Sequence, residues 1–206
     1  VELSLTGQVL RSIPIKGAAN LEGVAVLADG HVAVIDERQR SLSIFLLNAD
    51  TRELDSAQAV QRVELGTVGD SNKGFEGLAW DSRNQRLLLA NEKNPVRLFS
   101  LACDGRRVSG PLQALGDLDG YVTDVAGLSV DSRSGQLLAL SQESHLLLGL
   151  DPQLRAQSFL ALLPGLNGLT RRVPQAEGLA LDNAGNLYVV SERNLFFAFR
   201  REVSAP

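Results

Sequence analysis

Acidic residues recur along this chain at one position of a repeated motif. The motif is an acid, a glycine and a short apolar run, as in residues 76–79, Glu-Gly-Leu-Ala. Its acidic position holds Glu22, Glu76 and Glu177, while the third copy has Ala126 there and Asp124 two residues earlier. The copies lie roughly 50 residues apart, a spacing typical of repeat architectures. Carboxylates brought together by such a repeat would either raise one another's pKa values or bind a cation.

A second acidic position follows each motif, near the end of the next predicted strand. Its members are Glu37, Glu92, Glu143 and Glu192. In an antiparallel hairpin, the start of the first strand lies beside the end of the second. We therefore expect each acid of the first set to neighbour one of the second: Glu22 with Glu37, Glu76 with Glu92 and Glu177 with Glu192. Asp124 shares a strand face with position 126 and is expected to project into the same space.

A structural role is the alternative interpretation of the second set. Arg38, Lys93 and Arg193 directly follow three of its glutamates, so these acids could pair with basic residues and hold repeats together. The first set consists of charges inside otherwise apolar strand starts, which favours a functional role. The glycine after each of them could allow close packing at an axis, or it could serve a bulge or a turn, and both readings stay open.

Short apolar runs separated by turn signals predict an all-β chain. In each repeat the acidic motif opens a strand, a turn rich in Asp, Ser, Asn and Gly follows, and further strands come after it. Four antiparallel strands in roughly 50 residues is the size of a β-propeller blade. The periodicity carries this prediction, because the Leu-rich strands have only modest β-propensity. Residues 50–63 are interpreted as a loop insertion.

The repeats account for about four blades and the outer half of one more. Residues 1–5 and 8–15 are expected to form the third and fourth strands of a first blade whose inner strands are missing, and the last repeat has three strands. We therefore expect one β-propeller domain over residues 1–206, truncated at its N-terminus. The corresponding parent protein is expected to have five blades.

Composition and charge exclude several function classes. The net charge is −4 and no Lys/Arg-rich run occurs, so nucleic acid is not an expected partner. No apolar run is long enough for a transmembrane segment, and no signal peptide is visible. Because the chain has no Met and begins with Val, we expect a processed or shortened product, in which a missing targeting segment carries no information. The single cysteine, Cys103, is expected to be an inert thiol.

Carboxylates that converge on an axis repel one another. At about 6 Å and an effective dielectric constant of about 20, each pair costs roughly 3 kcal/mol. Hard oxygen ligands without His or Cys nearby favour calcium over zinc or copper. The sequence therefore predicts a Ca²⁺ site at one mouth of the propeller channel. Its candidate ligands are Glu22, Glu76, Asp124, Glu177, Glu37, Glu92, Glu143 and Glu192.

Several motifs in combination resemble one protein family over nearly the whole chain. They are Gly74-Phe75-Glu76-Gly77-Leu78-Ala79, Asn91-Glu92-Lys93-Asn94-Pro95, Asp124-Val125-Ala126-Gly127, Leu140-Ser141-Gln142-Glu143-Ser144 and Gln175-Ala176-Glu177-Gly178-Leu179-Ala180. Together they resemble the SdiA-regulated (YjiK-like) bacterial proteins. The resemblance implies a five-bladed propeller related to NHL-repeat proteins, export to the periplasm or cell envelope, and a calcium site. It implies no established activity.

Three functions stay open at this point. The first is a calcium-binding propeller of the bacterial cell envelope that binds a small molecule or protein at the channel mouth. The second is a calcium-dependent hydrolase of the lactonase or esterase type, in which the metal polarises a carbonyl group or activates water. Catalysis ranks second because no His falls beside the predicted metal to act as a general base. The third is a structural scaffold in which the cation only neutralises the mouth.

Overall fold

The computed structural model describes residues 1–68 and 74–201. Nineteen strands and one 3-10 turn, Ser56–Gln58, lie within these ranges. The strands outside the blades are β1 (Glu2–Leu3), β2 (Val9–Arg11), β3 (Ile15–Lys16) and β7 (Leu54–Asp55). Within the described residues, no helix is long and apolar enough to span a membrane.

The remaining strands form four antiparallel sheets, which we call blades A to D. Blade A contains β4 (Leu21–Val26), β5 (His31–Asp36), β6 (Ser41–Leu46) and β8 (Gln61–Glu64). Blade B contains β9 (Phe75–Asp81), β10 (Arg86–Asn91), β11 (Arg97–Cys103) and β12 (Val108–Asp117). Blade C contains β13 (Gly127–Val130), β14 (Leu137–Ser141), β15 (Leu146–Leu150) and β16 (Ala156–Ala161). Blade D contains β17 (Ala176–Leu181), β18 (Leu187–Ser191) and β19 (Leu195–Phe199).

The four blades form a ring, and the predicted all-β propeller is confirmed. Consecutive inner strands contact one another, β4 with β9, β9 with β13 and β13 with β17. Glycines allow this approach: a Cβ built on Gly23 would lie 2.7 Å from Leu78 Cβ, and one on Gly77 would lie 2.7 Å from Leu128 Cγ. The packing interpretation of the motif glycines therefore holds at these two positions.

The core lies between the blades rather than inside any one of them. Blade A turns Ile35, Leu42 and Ile44 towards blade B, where they join Leu87 and Leu89 in one buried cluster. Two further clusters fill the spaces between blades B and C and between blades C and D. Because blades B and C bury both of their faces against neighbours, their middle strands are continuous apolar runs rather than simple alternations.

The N-terminal region departs from the predicted strands. The single strand expected over residues 8–15 is divided into β2 and β3, and β3 pairs in parallel with β7 instead of continuing the hairpin. Pro14, which has no N–H to donate, lies between them, and its carbonyl oxygen accepts a 2.9 Å bond from Leu54 N–H. The β1–β2 hairpin reaches blade A through Arg11, whose guanidinium donates to Asn48 O at 2.7 Å. Its turn lies against Phe196 of blade D.

Candidate functional site

The two sets of glutamates meet where each inner strand begins. The residue before each first-set glutamate pairs with the residue before its second-set partner: Leu21 with Asp36, Phe75 with Asn91 and Ala176 with Ser191. The N–H groups of Glu37, Glu92 and Glu192 donate to the carbonyl oxygens of Asn20, Gly74 and Gln175 at 2.9, 3.0 and 3.0 Å. The three pairs expected from the sequence are therefore adjacent in the structure.

β-Bulges hold the first-set glutamates. Glu76 and Glu177 are each the extra residue of a bulge, because their two flanking residues pair with two consecutive residues of the partner strand. A register shift in blade A spans Glu22 and Gly23. In blade C the paired residues begin at Gly127, one position after Ala126, and show no shift from there on. A bulge re-aims a side chain and interrupts the regular alternation of a strand. A bulge can therefore direct a charged side chain away from its apolar neighbours at the start of the strand.

In blade A, Asn20 joins the two carboxylates directly. Its Nδ2 donates to Glu22 Oε1 at 2.8 Å and to Glu37 Oε2 at 2.9 Å. The other oxygen of Glu37 accepts a 3.0 Å bond from Gly74 N–H of the next blade. Glu37 is half-buried, whereas Glu22 is exposed. The Glu37 carboxylate therefore both faces the mouth and links blades A and B.

The structural role predicted for the second set applies between blades B and C. Lys93 Nζ lies 2.7 Å from Glu143 Oε1 and 3.3 Å from Glu92 Oε1. Glu143 is exposed on blade C, while Glu92 is only 8% exposed. The hydrogen bond that Lys93 donates to the Glu143 carboxylate raises the pKa of Lys93. This pairing joins the two blades through Glu143 and places a cation beside the buried Glu92.

Asp124 lies in the mouth region but serves the turn after β14. It is 2% exposed and accepts hydrogen bonds from Ser141 Oγ, from Gln142 N–H at 3.1 Å and from Glu143 N–H at 3.0 Å. These bonds tie the start of blade C's inner strand to the end of β14, as main-chain bonds do in the other blades. Its carboxylate oxygens therefore already have protein donors.

The carboxylates of the mouth act on one another's ionisation. The pKa of Glu76 is raised to about 8, first by burial and then by the charges of Glu92, Glu22, Glu177 and Glu37. The pKa of Glu177 is raised to about 7, again by burial first and then by Glu192, Glu22, Asp124 and Glu92. Seven of the eight predicted residues thus share one electrostatic environment. The eighth, Glu143, is engaged by Lys93.

The donor set suits calcium in its chemistry. The converging groups are carboxylates from β4, β9 and β17 together with their second-set neighbours, and such hard oxygen ligands are those that calcium prefers. However, no group of three or more His, Cys, Asp or Glu side chains in residues 1–68 and 74–201 is arranged as a coordination cluster. The mouth therefore supplies suitable ligands without a preformed cage.

Cys103 lies away from this chemistry. Its side chain is buried in the cluster between blades A and B, and burial raises the pKa of the thiol. A buried, protonated thiol is a poor nucleophile. This agrees with the inert role expected from the sequence.

Two comparisons place this geometry among known proteins. The sequence model of the SdiA-regulated family matches residues 1–200, and the chain belongs to that family. The crystal structure of Myxococcus xanthus glutaminyl cyclase is similar, with a TM-score of 0.62 and 21% identity. The match covers 90% of this chain and 67% of that one. At this level of identity the likeness shows the fold alone.

Proposed function

We propose that this member of the SdiA-regulated family is a calcium-binding β-propeller of the bacterial cell envelope. In this proposal the acidic mouth holds the ion and receives a small molecule or protein ligand. The supporting observation is the mutual electrostatic effect of Glu22, Glu76 and Glu177, which come from three inner strands, two of them at β-bulges. The envelope location rests on the family resemblance alone, and cell fractionation would test it.

The electrostatic cost of the mouth explains why a cation would bind there. Burial and mutual repulsion raise the pKa values of Glu76 and Glu177, so that ionising either group costs free energy in the metal-free protein. A bound Ca²⁺ supplies the positive charge that offsets this repulsion. Glu22, Glu76 and Glu177 would hold it from the inner strands, and their second-set neighbours would complete the acidic surround. Lys93 stays outside this role because its ammonium pairs with Glu92 and Glu143.

Calorimetry on the EDTA-treated protein tests the calcium proposal. Titration with CaCl₂ is expected to show saturable binding and to raise the Tm, because a ligand that binds only the folded state stabilises it. Glu76→Gln and Glu177→Gln should each weaken binding by tenfold or more. Glu64→Gln, on the outer strand of blade A with a side chain 74% exposed, is the matched control and should bind as the wild type does. Absence of calcium heat together with an unchanged Tm would refute the proposal.

One observation favours catalysis as the second candidate function. In the metal-free protein Glu76 is a half-buried carboxyl group with a pKa of about 8, so it can exchange a proton near neutral pH, as general acid–base catalysis requires. In this second candidate Glu76 acts as the acid–base group instead of binding the ion. The candidate reaction is the calcium-dependent hydrolysis of a lactone or ester. The calcium-loaded protein should then hydrolyse one member of a panel of lactones, aryl esters and phosphate esters, with Glu76→Gln inactive. If the whole panel stays intact, catalysis of this type is excluded.

A further inference from the structure

A cavity of about 130 Å³ lies between blades B and C. Its walls are Arg86 and Leu88 of β10, Leu115 of β12, Leu137 of β14, and residues 151–154 in the turn after β15. Arg86 is the first residue of β10, whose last residue lies beside the acidic mouth, and a strand of six residues spans about 17 Å. The cavity is therefore separate from the mouth.

The cavity exists because two turns that close the neighbouring interface stay apart here. Between blades A and B, the turn after β4 meets the turn after β11. Ala28 N–H donates to Gly105 O at 3.0 Å, and Arg106 Nε donates to Asp29 Oδ2 at 2.9 Å. Between blades B and C, the turns after β9 and β15 occupy the same places in the repeat. No hydrogen bond between described residues joins these two turns, so a space remains between them.

Leucine side chains line the floor of the cavity. Leu88 and Leu137 are buried, whereas Leu115 is 36% exposed. Leu115 is the extra residue of a β-bulge, because its two flanking residues pair with consecutive residues of β11. Gly116 leaves room for Leu154, since a Cβ built on this glycine would lie 3.1 Å from Leu154 Cδ1. Leucines from both blades thus give the cavity an apolar lining.

Arg86 brings a positive charge and unused hydrogen-bond donors to the cavity. Its Nε donates to Oδ2 of the buried Asp81 at 3.0 Å. Its terminal amino groups, Nη1 and Nη2, donate to no acceptor within residues 1–68 and 74–201, although the side chain is only 28% exposed. The planar guanidinium holds such donors in a geometry that matches a carboxylate. Arg86 can therefore receive a carboxylate in the cavity while it keeps its bond to Asp81.

Asp151 also lines the cavity, but its charge is balanced within its own turn. Its carboxylate accepts hydrogen bonds from Arg155 Nε at 2.8 Å, from Gln157 Nε2 at 3.0 Å and from the N–H groups of Gln153 and Arg155. The backbone N–H of Arg155 contributes most to lowering the pKa of Asp151. Four donors fill the roughly four lone-pair sites of a carboxylate. A ligand cation would therefore gain little from Asp151.

We propose that this cavity binds a compact monocarboxylate whose apolar body is about the size of a benzene ring. The carboxylate accepts hydrogen bonds from the terminal amino groups of Arg86, and the apolar body packs against Leu88, Leu115 and Leu137. An apolar cavity of about 150 Å³ holds benzene, so this slightly smaller cavity, which opens to solvent, admits a body of that size. A few placed polar groups above an apolar lining are typical of small-molecule sites.

Benzoate, benzamide and benzamidine are matched probes, because they share one ring and carry a negative, a neutral and a positive group. When benzoate is titrated into the whole chain in EDTA, the backbone amide NMR signals of Leu115, Gln153 and Leu154 should shift in a saturable manner. Benzamide and benzamidine should bind at least about tenfold more weakly, since neither offers two acceptor oxygens to the guanidinium.

Two variants test the two halves of the site. Arg86→Lys keeps a positive charge beside the buried Asp81 but loses the planar pair of donors, so benzoate binding should weaken about tenfold. Leu115→Trp fills the cavity from an exposed position and should weaken binding by a similar factor. Arg97→Lys, on β11 with a side chain 38% exposed and paired with Asp117, is the matched control and should bind as the wild type does.

Several results would overturn this site. They are no saturable shift of the three amide signals with benzoate, equal affinity for benzamide, or unchanged affinity in either Arg86→Lys or Leu115→Trp. Saturable shifts confined to other parts of the chain would also refute it. The same spectra show whether each variant is folded, so lost binding is not confused with lost structure. The titrations contain no calcium, so their outcome is independent of whether the acidic mouth binds that ion.

Discussion

Glu76 and Glu177 determine the electrostatics of the acidic mouth. Both lie at β-bulges, and both have pKa values raised by burial and by neighbouring acids. Such groups destabilise the metal-free fold once they ionise, and they are also the groups that gain most from a bound cation. The two effects can be measured separately. A neutral amide of the same shape removes the repulsion, which raises the stability of the metal-free protein, and it removes a ligand, which lowers the affinity for calcium.

Glu76→Gln should stabilise the metal-free protein at pH 8.5 while weakening calcium binding. The variant loses a charge that repels four neighbouring carboxylates. Discounted for solvent screening, roughly 1 kcal/mol is expected, which in a domain of this size corresponds to a Tm rise of about 2–4 °C. Thermal melts in EDTA measure this, with Glu64→Gln as the control expected to change the Tm by less than about 1 °C. A lower Tm for Glu76→Gln in EDTA would contradict the repulsion.

The stability of the metal-free protein should fall as the pH rises through neutrality. Between the ordinary glutamate pKa of 4.5 and the folded values of about 8 for Glu76 and about 7 for Glu177, the folded protein keeps protons that the unfolded chain has released. Since the folded state binds more protons, the free energy of unfolding decreases with pH in this window. Asp131 and Asp182, whose pKa values are lowered to about 2 by hydrogen bonds, act only at more acidic pH.

Melting curves from pH 5 to pH 9 measure this dependence. In EDTA the Tm should decline over the range, and in calcium the decline should flatten because the ion competes with the protons. A Tm that rises with pH in EDTA would show that the carboxylates of the mouth do not repel one another in this way.

Bulges and contacts between blades position the acidic side chains. Pairs such as Glu76 and Glu92 could be predicted from the sequence, because a short hairpin fixes which residues face each other. A bulge at the motif glycine was one of two open interpretations of the sequence, and the pattern could not decide between them, since one inserted residue leaves the apolar pattern on either side unchanged. The hydrogen bonds of Asp124 could not be predicted from the sequence, because its donors come from a turn whose geometry the sequence pattern does not specify.

Lys93 is the element-scale test, since it joins blades B and C. Lys93→Met removes the cation beside Glu143 and beside the buried Glu92, and an uncompensated buried carboxylate is costly. We expect the Tm of this variant in EDTA to lie several degrees below that of the wild type. Added calcium should raise the Tm of the variant by more than it raises the Tm of the wild type. Arg62→Met removes an exposed pair with Glu64 at 3.8 Å and should have little effect. Equal Tm values for the two variants would show that the Lys93 contacts do not stabilise the blades.

The sequence repeat determines the ring of blades. The period near 50 residues predicts the propeller because each copy forms one sheet that must bury its faces against others. Val24 and Val190 lie on sheet faces that no other blade covers within the described residues, and both are exposed.

A crystal structure grown in millimolar CaCl₂ is the most direct test of whether the acidic mouth binds calcium. We expect one ion bound by carboxylate oxygens of the first-set residues Glu22, Glu76 and Glu177, at metal–oxygen distances of about 2.3–2.6 Å. Crystals of the Glu76→Gln variant grown in the same solution should show reduced occupancy at that position. A mouth filled only with water, or an ion bound elsewhere on the molecule, would contradict the account.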